Sequence, residues 1–147
     1  MVNPADPLKS PDYFPPTDRW EKFFIGVRWL GPDLSFFKSL ESQQALRSEE
    51  QMIEWGGGIR HEIAKTISKI LHKRLHWRSN VFLPNDKLIV IFHGPRFDSW
   101  DEFALEEAIE VIEHSYGVKI TSSFWQGLED ATFGEFVERF QGMYRLS

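Results

Sequence analysis

DSWDEFALEEAIEVIEHSYGVKI, residues 98–120, is the stretch on which the reading of the fold turns. Leu105, Ala108, Ile109, Ile112 and Tyr116 recur at three- and four-residue steps, which places them on one face of an α-helix and predicts that this face is buried. Glu102, Glu106, Glu110 and Glu113 climb the same helix at matching steps, and no Lys or Arg lies between Asp98 and His114. The pattern is that of an amphipathic helix with an acidic outer wall. Ser99 followed three residues later by Glu102 fits a capping box, and Asp98 and Asp101 put negative charge at the positive end of the helix dipole. Gly117 can take the left-handed conformation that closes a helix.

Upstream, residues 48–77 carry a second helical pattern, with Ile63, Ile67, Ile70, Leu71 and Leu75 on one face. Gly56, Gly57 and Gly58 interrupt it, and each weakens a helix interior by about 1 kcal/mol relative to alanine, so the main helix is expected from about Ile59 onward. A glycine-rich entry to a helix can cradle phosphate, with Arg60 and Lys65 to assist, but WGGGIR is not a P-loop and no strand pattern precedes it. His61, Lys65, Lys69 and Lys73 form a basic face opposite the isoleucines. It reads either as a solvated side complementary to the acidic helix or as a seat for an anionic ligand or partner. His72 and His76 have the four-residue spacing of a helical metal pair, but no third ligand is placed, so no metal site is assigned.

Between these helices lies RSNVFLPNDKLIVIFHGPRF, residues 78–97. Its LIVIF run is bounded by Pro84-Asn85-Asp86 and Gly94-Pro95 and is too short for a self-sustaining helix, which predicts one buried extended segment. After Ile120, SSFWQGLED predicts a short helix capped by Thr121 or Ser122. ATFGEFVERFQGMY predicts a closing amphipathic helix that buries Phe133, Phe136, Val137 and Phe140.

Five of the 8 prolines fall in the first 16 residues, a composition that favours an extended arm over residues 1–17, with Tyr13 and Phe14 as candidate anchors. The remainder, 18–147, reads as a single helical domain. Trp20, Phe23, Phe24, Trp29, Phe36 and Phe37 crowd its start, and rings at such density are expected in a core. LGPDLSFFKSLES suggests a helix begun near Asp33.

At 147 residues the chain suits one domain, and 13 Phe with 6 Trp supply a core without disulfides. The formal charge of −5 argues against a dedicated nucleic-acid binder. The lack of cysteine excludes thiol catalysis and thiolate zinc sites. No apolar run reaches the ~20 residues of a membrane span, and MVNPADPLKS has no signal-peptide core, so a cytoplasmic location is expected.

The order of these features, a helix near 59–77, a long apolar connection, an acidic helix ending in Tyr116–Ile120 (YGVKI), a short helix and a last helix opened by Ala131–Phe136 (ATFGEF), resembles the acyl carrier protein family over residues of about 50–140. The resemblance implies a small helical bundle over 48–140, mainly α, with the aromatic-rich segment as an N-terminal extension. Carriers attach phosphopantetheine to a serine at the start of their second helix, and Asp98-Ser99-Trp100 looks close to that motif. Counting back from Gly117 by the carrier spacing lands near Glu102, one helical turn beyond Ser99, so the attachment position holds a glutamate and no cofactor is expected.

The expected function is therefore that of a non-catalytic protein-interaction module, of adaptor, immunity or regulatory type, which presents Glu102, Glu106, Glu110 and Glu113 to a protein with a basic surface. Two alternatives stay open. One is a functioning acyl or peptidyl carrier modified on Ser99; the other is a small hydrolase-type enzyme using His93, Asp98 and Ser99, residues that no motif brings together.

Overall fold

The computed structural model describes residues 4–8, 34–93, 104–128 and 130–146. In chain order the elements are α1 (Leu34–Ala45), a first 3-10 helix (Glu49–Trp55), α2 (Ile59–Leu75), α3 (Leu88–His93), α4 (Ala104–Tyr116), a second 3-10 helix (Ser122–Trp125) and α5 (Phe133–Leu146). The protein is mainly helical, and among the described residues the only β pairing is an isolated antiparallel bridge between Lys87 and Thr132. No described helix is long and apolar enough to cross a membrane.

α2 is the element on which the others rest, with α4, α5, α3 and the first 3-10 helix all set against it. Its start follows from the glycines: Gly56 and Gly58 hold positive φ angles of 76° and 84°, so the chain turns sharply after Trp55 and re-enters a helix at Ile59. Ile63, Ile67, Leu71 and Leu75 are buried along its inner face, and Ile70 packs at the edge. α4 contributes Leu105, Ala108 and Ile112 to the same core. α5 contributes Phe133, Phe136, Val137 and Phe140, all inaccessible to solvent. Phe136 is the hub of the aromatic part, in ring contact with Phe92, Phe124, Trp125, Phe133 and Phe140.

α5 is fixed at its start by a reciprocal capping box. Thr132 N–H donates to Glu135 Oε1 at 3.1 Å, and Glu135 N–H donates to Thr132 Oγ1 at 3.2 Å. Gly134 then lets the helix approach the turn at Pro84: its N–H donates to the Pro84 carbonyl at 2.8 Å. A methyl group built at Gly134 would lie only 3.0 Å from that same oxygen and 3.3 Å from Arg60 Nη2.

The run LIVIF departs from the sequence expectation. Residues 88–93 form an α-helix rather than an extended segment. Leu88, Val90, Ile91 and Phe92 are all buried and Ile89 is half-buried, so a helix too short to persist alone is held by burial on nearly every side. A buried stretch with neither helix nor strand lies a few residues earlier, at Val81, Phe82 and Leu83. Polar groups from elsewhere satisfy this irregular backbone. Trp55 Nε1 donates to the Phe82 carbonyl at 2.8 Å and Trp77 Nε1 to the Ile91 carbonyl at 3.0 Å. The wholly buried Gln44 accepts from Ser79 N–H at 2.9 Å and donates to the carbonyls of Ser79 and Val81.

The Pro84–Asp86 turn also anchors the beginning of the chain. Asp86, fully buried, pairs with Arg47 and accepts from the N–H groups of Leu8 and Leu83 at 2.8 and 2.7 Å. Leu8 is itself inaccessible to solvent. Residues 4–8, within the stretch expected to form an arm, are thus fastened to the body of the protein. Tyr13, Phe14, Trp20, Phe23, Phe24 and Trp29 lie outside the described residues.

Candidate functional site

α4 carries the acidic face. Its described part starts at Ala104, so Asp98, Ser99 and Glu102, and with them the expected capping box, lie outside the described residues. The C-terminal end is closed as its residues dictate. Gly117 has φ 64°, Val118 N–H reaches the Glu113 carbonyl at 3.1 Å and Gly117 N–H reaches that of His114 at 3.4 Å. This is the Schellman arrangement, in which a left-handed glycine satisfies the last carbonyls of the helix.

Glu106, Glu107 and Glu110 are exposed on the side of α4 away from the core. Among the described residues, none of the three forms an ion pair with a lysine or arginine. Glu113 differs: it is half-buried, and its Oε2 accepts from Ile120 N–H at 2.6 Å. The spacing that grouped it with the other glutamates holds along the helix, but its carboxylate is turned to the exit loop and supports the fold. Glu107, exposed beside Glu106 and Glu110, was left out by the four-residue ladder. Counting every acid outside the apolar stripe would have included it.

On α2, Lys65, Lys69 and Lys73 are exposed and His61 is half-buried. His61 and Lys65 line one side of a half-open cleft of about 140 Å3, with Glu49, Met52, Asn80 and Val81 completing it. A carboxylate and an ammonium share this cleft, so it has no single charge preference. Arg60 is committed elsewhere than to the glycine turn. Its guanidinium lies 4.9 Å from the centre of the Trp55 ring, donates to the Trp55 carbonyl at 3.3 Å and approaches Glu138 at 3.7 Å.

The two histidines with metal-pair spacing do not share a helix side. α2 ends at Leu75, and His76 follows it in the left-handed conformation with φ 67° and ψ 26°. His72 Nδ1 lies 2.5 Å from the Trp77 carbonyl, which can only accept, so that nitrogen carries the hydrogen. Among the described residues no group of three His, Asp or Glu side chains is placed to hold a metal ion. His93 ends α3, while its side chain and the remaining members of the Asp98–Ser99 grouping lie outside the described residues.

Tyr116 closes the inner face of α4, edge-on to Phe140 and Tyr144 with ring centres 5.1 Å away in each case. Partial burial raises its phenol pKa above the ordinary 10.0, a hydrogen bond with Thr66 opposes the rise, and Tyr144 and Glu62 add to it. The chemistry gathered here is that of a charged surface on a rigid helix. No family model matches the chain, and no significant match was found among curated proteins or solved structures.

Proposed function

We propose that the protein is a non-catalytic interaction module, of adaptor, immunity or regulatory type, built on an acyl-carrier-like helical bundle and offering the acidic face of α4 to a basic surface on a partner protein. The observation that carries this reading is the exposure of Glu106, Glu107 and Glu110 on a helix whose opposite side is sunk in the core. Like charges one helical turn apart repel by a few tenths of a kcal/mol, so the array works slightly against the isolated fold. A basic partner would reverse the sign of that contribution.

The order of helices after residue 59 supports the likeness to carriers, whose second helix is the face read by partners. Glu102, one turn before Glu106, extends the same acidic row in the sequence. Electrostatic recognition of this kind acts chiefly on association rate and selectivity, and salt weakens it.

The test is the double reversal Glu106→Lys/Glu110→Lys in a cell-extract capture experiment. The expected result is loss of the proteins retained by the wild type at low salt, with an unchanged thermal melt. Retention of the same proteins by the variant would refute the proposal.

A further inference from the structure

We infer that the exposed basic face of α2 is the seat for α4 of a second copy of this chain, so that the molecule associates with itself. The inference rests on the reading of α4 as a recognition face and names the basic surface it meets. Lys65, Lys69, Lys73 and Arg74 are exposed on α2, where Glu62 is the only exposed acid. Among the described residues none of these four cations forms an ion pair with a carboxylate. On α4 the exposed charges are Glu106, Glu107 and Glu110, followed by His114 at the helix end.

One geometric cause leaves both faces unneutralised. α2 and α4 are set against each other, and each turns its apolar side to the shared core. The charged sides therefore point away from that contact and do not reach each other within one molecule. A second copy is under no such constraint. Lys65, Lys69 and Lys73 recur every four residues, about 6 Å along the axis, and Glu106 and Glu110 have the same pitch. Two helices laid together at a shallow angle of about 20° can thus match one row with the other over successive turns. The formal charge of −5 on each copy opposes their approach, so the contact is weak and depends on the facing pairs. Complementary rows of this kind select the partner and fix its register.

Sedimentation velocity of the full chain tests the contact. At about 0.1 M salt the Debye length is about 10 Å, so distant repulsion is screened more than the facing pairs; at about 1 M it is about 3 Å and the pairs weaken too. The expected result is a mass that rises above one copy with concentration at the lower salt, and a dissociation constant about tenfold or more higher at the upper. Lys65→Glu/Lys69→Glu and Glu106→Lys/Glu110→Lys, each with an unchanged melt, are expected to be monomeric alone and to associate when mixed, because each supplies the face the other lacks. Wild type that stays monomeric, or a mixture that does not associate, overturns the inference. Should either variant fail to fold, carbodiimide cross-linking of isotope-labelled with unlabelled wild type decides instead. Links from Lys65 or Lys69 of one copy to Glu106 or Glu110 of the other support the contact, and their absence overturns it. The two readings fail separately: a monomeric wild type whose captured proteins are still lost on Glu106→Lys/Glu110→Lys overturns self-association and leaves the interaction module with a different basic partner.

Discussion

Arg47 and Asp86 stand 39 residues apart in sequence yet meet at 2.6 Å, with both side chains wholly removed from solvent. The pair does more than neutralise itself, since its remaining hydrogen-bonding capacity goes to the backbone of residues 4–8 and 81–83. Asp86→Ala should therefore lower stability by about 3–5 kcal/mol, the range for leaving one buried charge unpaired. Replacing both partners, as in Arg47→Met/Asp86→Leu, often restores stability in other proteins. Here it should not, because the Leu8 and Leu83 N–H groups would be orphaned at about 1–3 kcal/mol each. Urea denaturation of the two variants beside wild type checks the contrast, and full recovery in the double variant would refute the anchoring role.

Ser68 offers the opposite case. Its hydroxyl is buried in the inner face of α2 with no hydrogen-bond partner among the described residues. Ser68→Ala removes an unsatisfied polar atom and improves helix propensity, so stability should rise by about 1 kcal/mol. A lower denaturation midpoint would contradict the geometry at this site.

The glutamates of α4 should separate by role. Glu113→Ala removes the acceptor from Ile120 N–H and should lower stability by about 1–2 kcal/mol. Glu110→Ala, on the exposed side, should stay within about 0.5 kcal/mol of wild type. Equal effects in thermal melts would mean that Glu113 belongs with the outer row after all.

Tyr116 predicts a pH dependence. Because its folded-state pKa is raised above 10.0, the neutral phenol favours the folded state. That contribution is fully present below pH 10 and is lost as pH rises through the folded-state value. Ultraviolet titration should show Tyr116 ionising later than a solvent-exposed tyrosine, and Tyr116→Phe should remove the late phase.

Carrier chemistry at Ser99 is tested by intact mass after incubation with a phosphopantetheinyl transferase. The expected spectrum shows no added mass. An adduct that disappears in Ser99→Ala would replace the interaction-module reading with that of a functioning carrier.

Much of the fold was legible because helices repeat. The inward faces of α2, α4 and α5, the glycine break before Ile59 and the stop at Gly117 all follow from spacing and from the conformational limits of single residues. LIVIF was misread because a short run that is apolar all round has no periodicity to distinguish helix from extended chain. Only its surroundings choose. Arg47 and Asp86 were invisible for another reason: each looks like an ordinary charged residue near a turn, and their pairing depends on how α1 and the turn after Leu83 meet. Of the acidic row, Glu106 and Glu110 are exposed and Glu102 lies outside the described residues, whereas Glu113 points to Ile120 because the chain doubles back there, which no helical ladder records.

The bare α-carbon of Gly134 sets where the last helix can stop. Since Phe136, Val137 and Phe140 ride on the same rigid rod, one extra methyl against Pro84 would shift every ring they touch. A variant at this glycine would thus register as a loosened interior, with dye uptake and a broadened melt, although the atoms the new methyl meets first belong to Pro84 and Arg60. The depth to which α5 is seated is gauged by an atom the protein does without.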